Sequence, residues 1–282
     1  MTAIARRRTG NKVTPGRGLL FASIIVLAII YLFPLYWLLV TSFAPESGRI
    51  REIFPSSLSL DNYARLLGAR PIGLWMLNSV IIATAGMIGA VFTSTLAGYV
   101  FAKKRFRGRE FMFWLVIATM TLPFATLLVP LFLVMRDLGW ISTYQGMFAP
   151  VWAFPFGVFL VRQFMHTIPN ELLDAAKVDG ASEIQLLWRI VVPLAKPAIG
   201  AVAIFAFLGT WNDYVWQLVI INNDALNTLP VGTAAIITSS SGGVSYGLAT
   251  TAAAISFIPM LIIFLLFQSY FVRGVGAGAL KG

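Results

Sequence analysis

From Leu19 to Val40 the chain runs 22 residues without a charged side chain. The same pattern recurs at Gly73–Ala102, Phe111–Met135, Leu138–Val161 and Leu248–Phe271. A sixth stretch, Ala198–Ile220, carries one charge, Asp213. A helix rises about 1.5 Å per residue, so about 20 apolar residues cross the roughly 30 Å hydrocarbon layer of a bilayer. Each stretch is long enough. The pattern predicts an all-α, polytopic membrane protein with six transmembrane helices, at about 19–42, 73–102, 110–135, 141–163, 198–220 and 248–271. Between the fourth and fifth lies a polar loop, 166–197.

The remaining segments are short. Residues 1–18 form a basic N-terminal tail and residues 273–282 a C-terminal tail, on either side of one membrane domain, 19–272. A signal peptide has an apolar core of about 7–15 residues, shorter than the first run here, and no A-x-A-like site follows it; that run is a retained helix. In the loop at 43–71, SLSLDNYARLL predicts a short surface helix capped by Ser59 or Asp61. Another short helix is expected at 231–237. Pro123, Pro130, Pro150, Pro155 and Pro259 fall inside predicted spans and predict kinks there.

Composition agrees with lipid. The chain is 58% hydrophobic and 11% charged, where a soluble domain averages about 25% charged. The net charge of +10 is an orientation signal rather than a nucleic-acid footprint. Sixteen of the 21 lysines and arginines fall in 6–17, 103–109, 162–196 and 273–281, against Arg49, Arg51, Arg65, Arg70 and Arg136 on the other side. Basic loops stay cytoplasmic, so both termini and the loop 166–197 are expected in the cytoplasm. There is no cysteine, hence no disulfide framework and no cysteine-based metal site. The single histidine, His166, is a residue at the edge of the fourth helix, and Ser182, which a hydrolase reading would pair with it, has no nucleophile-elbow context. The terminal GVGAGALKG lacks the glycine before Lys281 and the Ser/Thr after it that a phosphate-binding loop requires.

Two polar clusters stand out. The first is ELLDAAKVDGASEIQLLWRIVVPLAKP, which holds four of the chain's 11 acids: Glu171, Asp174, Asp179 and Glu183. Pro169 suits a helix start and Glu171 and Asp174 suit the first turns by the helix dipole. Ala175 and Ala176 leave room for another backbone. Gly180 can take positive φ and end the helix, and Ser182 with Gln185 reads as a capping box for the next. Pro193 and Pro197 are expected to end that helix and turn the chain toward the fifth span. A solvated loop would explain the charges, with Asp174–Lys177 a pair of a few tenths of a kcal/mol, but not two capped helices with a glycine between them. The second cluster is TWNDYVW. Asp213 is the only charge inside the six apolar stretches. Asn212 and Asp213 beside Trp211, Tyr214 and Trp216 offer the hydrogen bonds and aromatic faces of a sugar route. They equally fit an aromatic belt at the outer interface or a gate. Asn78, near the start of the second helix, joins them as a substrate-pathway candidate.

Asp174-Ala175-Ala176, Gly180 and the distal Pro193 resemble the cytoplasmic loop of the permeases of binding-protein-dependent ABC importers. DGAS at 179–182, FAKKRFRGR, WNDYVWQLVI and QSYFVRGVGAGALKG resemble the maltose-type carbohydrate branch, in order and over nearly the whole chain. Three positions depart from that pattern: Asp174 for a Glu, Leu187 for a Phe and Val192 for a Leu. The resemblance implies a permease subunit in a bacterial or archaeal cytoplasmic membrane. Glu171, Asp174, Ala175, Ala176, Asp179, Gly180 and Pro193 would then couple it to an ATPase. It implies a second homologous permease, two ABC ATPase subunits that hold ATP and Mg, and an extracytoplasmic solute-binding protein. The chain itself would be no enzyme and hold no cofactor. Import of a carbohydrate or related polar solute by alternating access would follow. Residues 276–282 could rest on the ATPase. The rival is an ion-coupled secondary transporter, which would need intramembrane coupling acids and inverted repeats; one acid and no clear repeat are present.

Overall fold

A computed structural model describes residues 15–45, 57–238 and 246–279. The tail up to residue 14, Arg49, Arg51, the serines 239–241 and the last three residues lie outside the described part. Every regular element among the described residues is helical. The long helices are α1 (Pro15–Ser42), α3 (Ile72–Lys103) and α14 (Tyr246–Ala279). Between them run α2 (Asp61–Ala69), α4 (Arg109–Ala118), α5 (Phe124–Asp137), α6 (Tyr144–Phe148), α7 (Pro155–His166), α8 (Asn170–Val178), α9 (Glu183–Gln185), α10 (Val192–Leu194), α11 (Lys196–Trp211), α12 (Val215–Ile220) and α13 (Leu229–Thr238). Among the described residues, four segments are long and apolar enough to cross a membrane, or up to six if each of two bent helix pairs is one span.

The third and fifth predicted spans differ from the expectation. The stretch 110–135 is no single kinked helix: α4 with its last 3-10 turn meets α5 at 105°. Pro123 is the reason. It has no N–H, and it forces Leu122 before it into an extended conformation, φ −78 and ψ 121. The stretch 198–220 breaks at 212–214, between α11 and α12. In the fourth, α6 and a 3-10 turn at Ala149–Trp152 precede α7. The surface helix α2 starts at Asp61, whose N–H donates to Ser59 Oγ at 3.0 Å.

The bundle is built around α3, about 48 Å long at 1.5 Å per residue, with α7 and α11 lying along it and α14 on α11. Lipid supplies no hydrophobic drive between helices, so close packing must hold them. Small residues make it possible. A β-carbon on Gly98 of α3 would stand 2.7 Å from Val161 of α7, and one on Gly157 would stand 2.3 Å from Ser94 Oγ. A β-carbon on Gly89 would meet the Trp152 indole at 1.9 Å. That indole donates Nε1–H to the Ala85 carbonyl at 3.1 Å. By contrast, α1 touches the bundle at one end. There Thr251 donates to the Ser42 carbonyl at 3.0 Å and the Trp37 indole to Tyr246 Oη at 3.3 Å. Leu19 to Phe33 of α1 are exposed apolar side chains, as a lipid-facing helix requires.

Asn78 closes the end of the bundle away from Lys103. It is fully buried. Its amide donates to the carbonyls of Ala225 and Asn227 at 2.9 and 3.0 Å, and its Oδ1 accepts from Tyr144 Oη at 2.7 Å. Ser79 Oγ accepts from the Leu229 N–H at 2.8 Å. Together they stitch α3 to the α12–α13 connection. Asn78→Ala would strand the buried Asn227 carbonyl, at about 1–3 kcal/mol, and unpair the Ala225 carbonyl and the half-buried Tyr144 hydroxyl. We expect a loss of about 3 kcal/mol, read as a lower melting temperature of the purified protein in detergent.

Candidate functional site

The polar loop forms a helical hairpin at the basic end of the bundle. Pro169, extended at φ −59 and ψ 137, precedes α8 rather than opening it. After nine residues Gly180 takes φ +84. Its N–H donates to the Lys177 carbonyl, and the Ala181 N–H donates to Ala176, both at 2.9 Å. This pairing satisfies the last carbonyls of α8 and needs a residue that tolerates positive φ. Two residues on, Ser182 accepts from the Gln185 N–H at 3.4 Å, while the Gln185 side chain accepts from the Ser182 N–H at 2.8 Å. That is a complete capping box.

Pro193 behaves differently from the expectation. It lies within α10 and does not end the helix. A π-helical stretch, Leu186–Val191, widens the turn before it. Proline cannot donate to the carbonyl four residues back, and the wider turn absorbs the misfit. The change of direction comes at Ala195, where Glu183–Leu194 meets α11 at 79°.

Packing divides α8 into two faces. Leu173 is its buried residue, set among Met165, Ile168, Leu186, Leu187 and Val191 with Tyr99 and Ala102 of α3. Ala176 packs on the same cluster. Leu187 thus belongs to the internal core, so the Leu-for-Phe change acts beneath α8 and not on its outer face. That outer face exposes Glu171, Asp174, Ala175, Val178 and Asp179. Val178 is 88% exposed, and Ile184 on the next helix 72%. Asp174 accepts from Lys177 at 3.3 Å, one turn on.

Two consecutive lysines strap this hairpin to α3. Lys103 donates to the Ile168 carbonyl at 2.5 Å and to Asn170 Oδ1 at 3.0 Å, fixing the junction of α7 and α8. Lys104 pairs with Glu183, which also accepts from Tyr99 Oη at 3.1 Å. The Lys104 ammonium holds the Glu183 carboxyl below the usual carboxylate range. Glu183 therefore fastens the second helix and is no free surface charge. Sequence reasoning missed these straps. The adjacency of two lysines at a helix end, opposite an acid-rich loop, was the available signal.

The second cluster is split by the break in the fifth span. Trp211 and Trp216 are buried, with Trp216 Nε1 donating to the Gly146 carbonyl at 3.0 Å. Asn212 and Tyr214 face a groove of about 400 Å³ bounded by Thr233 of α13 and Ser256, Phe257 and Met260 of α14. Asp213 turns the other way, to a hollow of about 210 Å³ against Phe124, Pro150 and Phe154. Its Oδ1 accepts from the Trp216 N–H at 3.2 Å. Asn78 borders neither space and is spent on the stitching already described. Of the six candidates, Trp211, Asn212 and Tyr214 line the groove, Asp213 and Trp216 line the hollow, and Asn78 lines neither.

Comparison with known proteins agrees with this architecture. Residues 94–277 match the family described as binding-protein-dependent transport system inner membrane component. The chain is 35% identical to the arabinooligosaccharides transport system permease protein AraQ of Bacillus subtilis, over 91% of this chain and 93% of that one. It is 34% identical to the trehalose/maltose transport system permease protein MalG of Thermococcus litoralis, over 94% and 97%. A crystal structure of a bacterial ABC transporter involved in alginate import contains a chain of the same fold, with a TM-score of 0.78 at 23% identity, covering 96% of this chain and all of that one. The fold, the hairpin at the basic end and these matches converge: the chain belongs to the family of inner-membrane components of binding-protein-dependent transport systems.

Proposed function

We propose that this chain is one permease half of an importer that moves a carbohydrate or related polar solute across the cytoplasmic membrane, driven by ATP hydrolysed on separate subunits. The observation that carries the reading is α8. A short helix closed at its C-terminal end by local hydrogen bonds is held by Leu173 and two lysine straps, yet it turns acids, Ala175 and a bare Val178 outward. Such a face suits an apolar cleft with a basic rim on a soluble partner. In this reading the basic end is cytoplasmic, with both termini. Two ABC ATPase subunits bind ATP and Mg and receive α8, one from each of two homologous permeases. An extracytoplasmic binding protein delivers the solute at the opposite end. ATP then favours one of two bundle states because closure of the ATPases displaces α8. The carbohydrate class rests on the arabinooligosaccharide and trehalose/maltose systems named for the two relatives.

The chain has no native cysteine, so Val178→Cys introduces a single reactive site. In the assembled complex a short bifunctional thiol–amine reagent is expected to join residue 178 to an ATPase subunit. Cross-linking to lipid or to the permease alone would overturn the docking assignment.

The groove at the α11–α12 break supports a route for the solute. Asn212, Tyr214, Thr233 and Ser256 supply hydrogen-bonding side chains beside Phe257, and among the described residues no charged side chain lines it. Asn212→Ala and Tyr214→Ala are expected to lower uptake about tenfold, the equivalent of 1.4 kcal/mol, while ATPase subunits still co-purify. Uptake at the wild-type rate in both would remove the groove from the path.

A further inference from the structure

Arg162 lies on α7, one turn before its end, and is 8% exposed. Its guanidinium reaches two other helices at once, α4 and α3. Nη2 donates to both carboxylate oxygens of Glu110 in the first turn of α4, at 2.9 Å each. Nε donates to the Phe101 carbonyl in the last turns of α3 at 3.4 Å. The carbon at the centre of the fork stands 3.7 Å over the Phe113 ring of α4. Glu110 is held from the other side by Arg109 at 2.8 Å, and Arg109 also donates to the Lys104 carbonyl at 3.0 Å. The sequence reading counted Arg162 only as one more positive charge on the basic side.

We infer that Arg162, with Glu110, is a positioning residue for energy coupling: it makes the ends of α3, α4 and α7 move as one body with α8, so that displacement of α8 reaches the α4–α5 elbow. The inference rests on the proposal that an ATPase docks on α8. The chain of contacts is continuous. Lys103 ties α3 to the start of α8, and the seam at Gly98 locks α3 to α7. α4 has no comparable close seam: its buried residue is Phe113, the ring beneath the Arg162 fork. A planar guanidinium that gives Nη2 to a carboxylate and Nε to a carbonyl while stacked on a ring fixes direction as well as distance, which a lysine ammonium cannot do. Coupling across a protein needs such an element with a defined arrangement.

The test uses the complete complex, with spin labels at Val178→Cys on α8 and Leu115→Cys on α4. Both positions are exposed. Electron–electron resonance gives their separation without nucleotide and after trapping with Mg-ATP and vanadate. We expect one narrow distance distribution, unchanged by trapping. In Glu110→Gln and in Arg162→Lys the distribution should more than double in width and shift by several ångströms on trapping. Variants as narrow as the parent, or a parent pair that separates on trapping, would overturn the inference. Docking itself is read separately, by the residue 178 cross-link to the ATPase; its failure in the otherwise unaltered chain removes the premise.

Discussion

Replacing Gly180 with tryptophan is expected to cut ATP-driven uptake by tenfold or more while leaving the membrane bundle folded. The backbone there sits at φ +84, and a β-carbon at this position meets nothing within 4 Å among the described residues. The chain can therefore carry a large side chain without internal collision. It pays only the left-handed strain of about 1–2 kcal/mol. The bulk projects from the end of α8, where the proposed partner sits. Gly180→Ala separates the two causes. It carries the same strain with almost no added volume, and its uptake should stay within a few-fold of wild type. Asp174→Lys should match Gly180→Trp, because it reverses the charge at the middle of the outward face without touching the Leu173 core. Wild-type coupling of uptake to ATP hydrolysis in both Gly180→Trp and Asp174→Lys would sink the docking role of α8.

A large effect on folding is expected at Gly98. Any β-carbon there would lie 2.7 Å and 2.9 Å from two Val161 carbons and 3.1 Å from the backbone nitrogen of Arg162. Neither neighbour is the far end of a flexible side chain, so α3 and α7 must separate. Overpacking costs about 1–3 kcal/mol when side chains can shift, and a backbone neighbour puts valine at the upper end, about 3 kcal/mol. Parting these helices also disturbs Arg162 and the Lys103 strap. Gly98→Val should therefore melt well below wild type in detergent and give a poor yield of monodisperse protein. Gly73→Ala is the matched control. It adds a methyl in the first turn of the same helix, with nothing within 4 Å, and should melt like wild type or slightly higher. Equal melting of Gly98→Val and wild type would show that the seam does not hold the bundle together.

The hairpin was legible because its signals are local. Glycine at the end of α8 and Ser182 three residues before Gln185 act through backbone groups within one turn. The elbow was not legible to the same degree. Pro123 announced a distortion, but a kinked helix and a 105° corner share the same local cause. Pro193 misled for a related reason: whether a proline ends a helix or is absorbed depends on the width of the preceding turn, and that turn is set by Leu186, Leu187 and Val191 packing beneath α8. TWNDYVW reads as one polar-aromatic cluster along the chain. Broken at 212–214, it sends Asn212 and Tyr214 to one space and Asp213 to another.

Asn78 and Arg162 mark the boundary between the two kinds of information. Both are polar residues in or beside apolar runs, and in sequence one resembles a pathway candidate and the other a topology signal. Their roles depend on partners 147 and 52 residues away. The sequence by itself determined the number and placement of apolar stretches, the charge asymmetry of their ends and the capped hairpin between them. Each of those follows from lipid thickness, loop charge or hydrogen bonds inside a few residues. Only the tertiary structure decided which polar side chains face outward for a partner, which line a groove and which are consumed in holding helices together. Burial and distant carbonyls settle that, and neither is written at the residue itself.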